Sequence, residues 1–235
     1  MKQAQEISQR FKIRCSGIGQ IMTNGRAKDS LGKTAQTFAL NWIREQPEFY
    51  NRRKEFQNRY TDKGHIMEDE ALDFVSDHLY NGKLLVKNEE YFENDFLKGT
   101  PDNIQKDHII DVKNSWDFST FPLFETELPT KDYFYQGQGY MNLTGRKGFK
   151  VIYCLLDTPA NLIESEAWNY SKRNGLGQPD DDLIMDFYER MTYKDIDPKL
   201  RLKVFEFEYD QAVIDSIQKR VEEIRQFIFD KLNSL

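Results

Sequence analysis

The sequence is poor in the residues that build cross-linked or soft-metal sites. Its 235 residues include two cysteines, Cys15 and Cys154, and three histidines, His65, His78 and His108. That excludes a disulfide framework, a four-cysteine iron–sulfur cluster and an all-cysteine zinc site. The histidines show no ligand spacing of the H-E-x-x-H kind. Long apolar runs are also missing. The longest, Val151 to Leu156, falls far short of the about 20 residues that a bilayer span requires. The opening Met1-Lys2-Gln3-Ala4-Gln5-Glu6 holds no apolar stretch of signal-peptide type, so a cytoplasmic protein with no membrane partner is expected. Positive charge is not in excess either: 33 Lys and Arg face 39 Asp and Glu, a formal net charge of −6. Affinity for nucleic acid must then come from a local patch.

What is present is enough for one core. Hydrophobic residues make up 39% of the chain and aromatic residues 14%, which favours a folded chain over a disordered one. The length suits a single domain over 1–235, without internal repeats or low-complexity segments.

Periodicity orders the chain. Residues 1–25 read as a short helix and a glycine-containing loop, Ser16-Gly17-Ile18-Gly19. Residues 34–60 carry helical spacing (Phe38, Trp42, Ile43) and end in a basic stretch, Arg52-Arg53-Lys54, continued at Arg59. An amphipathic helix is predicted over 62–80. Short apolar groups at Leu84–Val86, Tyr91-Phe92, Phe96-Leu97 and His108–Val112 predict a strand meander. Thr130 to Gly145 reads as a capped helix, and Phe149 to Leu156 as a central strand covered on both faces. Residues 157–199 read as an irregular insertion with one short helix near Leu183–Met191. A strand at Leu200–Phe207 and an apolar-striped helix from Ile214 to Leu232 close the chain. The order predicts an α/β sandwich with a mixed β-sheet flanked by helices.

The chemistry concentrates between Gly99 and Lys113. If Phe96–Thr100 and His108–Lys113 are strands joined through Gln105-Lys106-Asp107, Asp102 comes beside the end of the second strand. Asp111 and Lys113, two apart, then point to one face and Val112 to the other. Two carboxylates that close repel unless a cation lies between them, and hard oxygen donors suit Mg²⁺ or Mn²⁺. The bland reading is an exposed hairpin with solvated charges.

Two flanking motifs narrow the choice. Gly64-His65-Ile66-Met67-Glu68-Asp69-Glu70-Ala71 has the form G-x-x-x-E-x-x-A, and Gln136-Gly137-Gln138-Gly139-Tyr140 the form Q-x-x-x-Y. With Gly99-Thr100-Pro101-Asp102 and Asp111-Val112-Lys113 between them, the set resembles the PD-(D/E)xK nucleases. Within these it is similar to the lambda-type alkaline exonucleases of phages, the YqaJ-like viral recombinases. The resemblance runs over residues 10–156, including the opening Arg14-Cys15-Ser16-Gly17.

It implies a restriction-endonuclease-like core and a metal-dependent exonuclease acting on double-stranded DNA ends. Asp102, Asp111 and the Val112 carbonyl would hold the metal, Glu68 would add a third acidic group, and Lys113 would position the attacking water. Gln136 is expected to be an active-site polar group. Tyr140, on the same helix face, is a DNA-side candidate with a mainly structural role. Arg14 and Ser16, with Arg10 nearby, are candidates to hold a terminal 5′-phosphate. The relatives' habits imply a homo-oligomer, a trimeric ring, and a single-strand annealing partner in a phage's bacterial host. Arg52 and Arg53 either contact phosphates or form a solvated helix face. Gly137 and Gly139 imply either close approach to the sheet or DNA, or tight packing alone. An endonuclease or repair nuclease on the same fold is the first rival, and a non-catalytic DNA-binding module the second.

Overall fold

The computed structural model describes residues 1–27, 30–52 and 59–235. The chain opens with α1 (Lys2–Gln9), β1 (Ile13–Arg14), α2 (Ile18–Ile21) and α3 (Lys33–Glu45). Helices α4 (Arg59–Ile66) and α5 (Glu68–Leu79) lead to strands β2 (Phe92–Glu93), β3 (Leu97–Gly99), β4 (Asn103–Ile104) and β5 (His108–Asn114). Then come α6 (Lys131–Thr144), β6 (Gly148–Cys154), α7 (Ala160–Arg173), α8 (Asp181–Met191), β7 (Leu202–Glu208) and α9 (Gln211–Asn233). Among the described residues no helix is long and apolar enough to cross a membrane.

The main sheet has the order β4-β5-β6-β7 and is mixed, with β5 and β6 parallel and the outer pairs antiparallel. Its central strands are apolar on both faces because both faces are covered. Ile109, Phe149, Val151 and Phe205 join one core cluster with α3, α6 and α9. Ile110, Val112, Ile152 and Cys154 join another with α5. A small second sheet, β1-β3-β2, lies alongside. The α9 stripe of Ile214, Ile217, Val221, Ile224 and Ile228 is buried, each side chain contributing about 1.5–3 kcal/mol.

Helix α6 is the element that brings the sheet and the site together. Thr130 caps it, its hydroxyl accepting from the Asp132 N–H at 3.2 Å, and Gly145 ends it at φ 72° in the left-handed region. Its two inner glycines resolve the alternatives left by the sequence in favour of close packing. A Cβ on Gly137 would lie 2.6 Å from Phe207 and 2.7 Å from Phe149, both on the sheet. One on Gly139 would lie 2.8 Å from Cys15 Sγ.

Several expectations are corrected. The helix predicted over 62–80 is two helices, interrupted at Met67 (φ −98°, ψ 6°). Helix α3 ends at Glu45, just before Pro47, rather than running on through the basic stretch, so Arg52 lies on no helix. Arg53 and Lys54 lie outside the described residues. Leu84–Val86 is not a strand. The hairpin partner of β5 is β4, not the strand holding Phe96-Leu97, because Pro101 separates the two and brings no N–H to a ladder. Residues 157–199 are not largely irregular: besides α8, the helix expected near Leu183–Met191, they form α7, whose only buried apolar positions are Ile163 and Ala167.

Candidate active site

Strand β5 sets the geometry. Its register with β4 pairs Asn103 with Ile110 and Ile104 with Ile109. One step further puts Asp102 opposite Asp111, with Cβ atoms about 5 Å apart. Lys113, two residues on, shares the face of Asp111, while Val112 is buried against α5. The next step puts Pro101 opposite Val112. Peptide groups alternate between the edges of a strand, and the His108 carbonyl accepts from Gln105 N on the β4 side at 2.8 Å. The Val112 carbonyl therefore faces that same edge, where Pro101 brings no donor.

Asp111 is 1% exposed and its two oxygens are treated differently. Oδ1 accepts a 2.9 Å hydrogen bond from Gln136 Nε2. Oδ2 is buried and lies 2.7 Å from Lys113 Nζ as an ion pair. Burial alone would lower the Lys113 pKa, yet Asp111 and Asp102 outweigh it and hold the ammonium above the usual lysine range. Its Nζ sits 4.8 Å from the ring centroid of Tyr133. Asp102 is pushed up to about 8, first by burial, then by Asp111 and Glu68, against the pull of Lys113.

Glu68 begins α5 and pairs with Lys87 at 2.9 Å. That bond is the largest cause holding the Lys87 ammonium above its ordinary value. Glu68, Asp102, Val112, Lys113, Tyr133 and Tyr153 line one cleft of about 370 Å³. Gly64, one turn before Glu68, also lines it.

The donors fit a hard cation. All are oxygens, one of them (Asp111 Oδ2) is buried with only the Lys113 ammonium beside it, and Asp102 is raised first by burial and then by Asp111. Among the described residues no three acidic, histidine or cysteine side chains are drawn together as a ready-made metal cluster. Lys113 and Lys87 instead balance Asp111 and Glu68.

The remaining candidates are more scattered. Tyr140 is 6% exposed and stacks on Phe149 at 6.4 Å, where a Cβ on Gly99 would touch its ring. It serves packing and presents no face to solvent. Arg14 and Ser16 are exposed beside β3, with Arg14 in register with Lys98. Arg10 is engaged by Glu48 at 2.7 Å. Arg52 is exposed, and Arg59 pairs with Glu166 on α7. Cys15 and Cys154 are buried, and burial pushes both thiols up, Cys154 to about 12. Asp180 caps α8, accepting from Leu183 N at 2.9 Å.

Three residues escaped the sequence reading. Tyr133 precedes Gln136 by three on α6, and that spacing was a usable sign of a shared face. Lys87 sits in an irregular segment and carried no signal. Lys63, fully buried, donates to the Trp116 and Leu156 carbonyls at 2.9 Å each.

The fold has known counterparts. The chain is similar to the crystal structure of a phage related exonuclease from Haemophilus somnus 129PT, with 25% sequence identity and a TM-score of 0.74, covering 95% of this chain and 96% of that one. It shares its fold with an alkaline exonuclease, LHK-Exo, from Laribacter hongkongensis at 14% identity and a TM-score of 0.62, covering 100% and 97%. The same enzyme in complex with dAMP gives 13% identity and a TM-score of 0.64, covering 100% and 95%. No protein-family model and no curated protein matches the sequence. With this fold, and with the motifs in order from Glu68 through Asp102, Asp111 and Lys113 to Gln136, the chain is similar to phage-related and alkaline exonucleases of known structure.

Proposed function

We propose that the chain is a metal-dependent exonuclease that degrades one strand of linear duplex DNA from its 5′ end. The products would be 5′-mononucleotides and a 3′-ended single strand for phage-type recombination. The observation that carries the reading is the register that sets Asp102 opposite Asp111 with Lys113 on the same face, inside an open cleft. The similarity to structures of exonucleases supports it.

Asp102, Asp111 and the Val112 carbonyl would hold Mg²⁺ or Mn²⁺, with Glu68 joining once it leaves Lys87. Such an ion, when bound, supplies Lewis acidity toward water and phosphate. The protein's part is positional and electrostatic. Gln136 fixes the orientation of Asp111 through Oδ1, leaving Oδ2 beside Lys113. Lys113, held in its charged form, serves as a donor that orients the attacking water and offsets charge growing on the phosphate, rather than as a base. Water oxygen bonds to phosphorus, the bond from phosphorus to the 3′ oxygen breaks, and the 3′ oxygen takes up a proton. Arg14 and Ser16 would receive the terminal 5′-phosphate, with Arg52 and Arg53 along the duplex. A homo-oligomeric ring and a single-strand annealing protein belong to the same reading.

The test is hydrolysis of end-labelled linear duplex and of covalently closed circular duplex, each with Mg²⁺ and with EDTA. Linear DNA should be degraded only with the metal, and the circle should survive. Asp102→Ala, Asp111→Ala and Lys113→Ala should each leave less than about 1% of the activity, since a lost ligand or charge costs several kcal/mol of transition-state stabilisation. A circle degraded as fast as the linear form would replace the exonuclease with an endonuclease. DNA binding without any hydrolysis would leave a binding module.

A further inference from the structure

Beside the catalytic cleft lies another, of about 540 Å³. Arg59, Trp116 and Phe118 form one wall, and Arg173, Phe187 and Arg190 the other. The two clefts are neighbours along two elements. Thr61 and Gly64 of α4 face the first and Arg59 the second; Lys113 and Asn114 of β5 face the first and Trp116, just beyond the strand, the second. Buried Lys63 fixes the partition by holding the Trp116 and Leu156 carbonyls.

The loop after β5 is rigid as well. Phe118 N donates to Tyr193 Oη at 3.3 Å, and Thr158 Oγ1 donates to the Trp116 carbonyl at 3.3 Å. Asp117 Oδ1 accepts from Ser119 N at 3.0 Å and Thr120 N at 3.1 Å. On this fixed loop Phe118 stands 63% exposed. Across from it α7 and α8 pack through Tyr170 and Phe187, whose centroids are 5.7 Å apart. The lining carries three arginines against two carboxylates. Glu166 pairs with Arg59, and Asp186 holds Arg190 at 2.6 Å. Among the described residues Arg173 forms no ion pair; its Nε donates to the Asn169 carbonyl at 3.2 Å.

We propose that this cleft holds the single-stranded DNA next to the scissile nucleotide, with a base stacked on Phe118 and a phosphate on Arg173. The proposal rests on the nuclease reading and assigns α7 and α8 the task of guiding the strand. Three features point to that occupant. The cleft adjoins the catalytic one, bordered by neighbouring residues of α4 and of the chain at the end of β5. Its size is that of a small-ligand pocket, which suits one or two unpaired nucleotides and not a duplex. A preset aromatic face with nearby arginine accepts any base, as an enzyme that degrades from ends requires.

Binding of a short fluorescein-labelled oligo-dT strand, followed by anisotropy in EDTA, tests the cleft without any cleavage. Phe118→Ala and Arg173→Ala should each weaken binding about tenfold, and Phe118→Trp should restore it. Arg173→Ala should also lower the slope of log affinity against log salt by about 0.7. Both residues are exposed, so neither change threatens the core. Wild-type affinity in both alanine variants, or no binding by the wild type, would overturn the proposal. Failure of the nuclease reading would show elsewhere, as intact linear duplex in Mg²⁺.

Discussion

Gln136 Nε2 donates a 2.9 Å hydrogen bond to Asp111 Oδ1, joining α6 to the centre of the sheet at a fully buried point. The bond fixes which oxygen of Asp111 is held by α6 and which lies against Lys113. Gln136→Leu should therefore leave Oδ1 without a donor and lower stability by about 1–3 kcal/mol. Activity should fall about 10–100-fold, as when a group orienting a metal ligand is lost. Gln136→Glu should be worse than Gln136→Leu, because it sets another carboxylate against Asp111. Chemical denaturation and turnover of labelled linear duplex check both effects. Equal turnover in wild type and the leucine variant would remove the orienting role.

The state of Asp102 makes stability depend on pH. Its carboxyl is raised from 3.8 to about 8 in the fold, so the folded chain binds this proton more tightly than the unfolded one. The contribution is fully present below pH 3.8 and is lost as pH rises toward 8. In EDTA, the protein should be more stable at pH 5 than at pH 8, and Asp102→Asn should reduce that difference by stabilising the protein at the higher pH. Mg²⁺ should act in the opposite sense, stabilising more as pH rises, because a metal must displace the proton. Guanidinium midpoints at the two pH values decide it; parallel profiles in wild type and variant would count against the coupled carboxylates.

The glycines of α6 set its distance from the sheet. Gly137→Ala would press a methyl group onto Phe207 and Phe149, and Gly139→Ala onto Cys15 and Ile18. Helix propensity alone would reward each change with about 1 kcal/mol, so a net loss of about 1–3 kcal/mol reports the packing. Activity should fall with stability, since Gln136 rides on the same turn. Thermal unfolding that showed either variant to be more stable than wild type would refute the close approach.

What could be read beforehand was whatever depended on short-range chemistry. Thr130 and Gly145 marked the ends of α6, the apolar run from Phe149 marked the central strand, and the spacing of Asp111 and Lys113 placed them on one face. The strand opposite Asp111 was harder to identify. It depended on Pro101 separating β3 from β4, after which a two-residue strand carries the register. The ion pair of Glu68 with Lys87, nineteen positions later, left no local trace. Helix α7 was missed because it buries few apolar side chains and instead pairs Glu166 with Arg59, a contact visible only in three dimensions.

The net charge of −6 bears on assembly. A chain that holds a polyanion against its own negative charge must gather its basic groups on one surface, and a closed ring sums them around a channel. Arg52 is exposed after α3, in the stretch that continues to Arg53 and Lys54. The protein is expected to be a homo-trimer, and light scattering at working concentration measures this directly; a monomer would remove the ring. Each phosphate contact adds about 0.9 to the slope of log affinity against log salt on duplex DNA. Replacing Arg52 and Arg53 by alanine should thus lower that slope by about 1.8, shorten processive runs and leave single-turnover cleavage at saturating DNA nearly intact. The order of effects is the discriminating feature. A solvated arginine pair would leave the slope as it is, and an arginine pair within the catalytic machinery would lower single-turnover cleavage first.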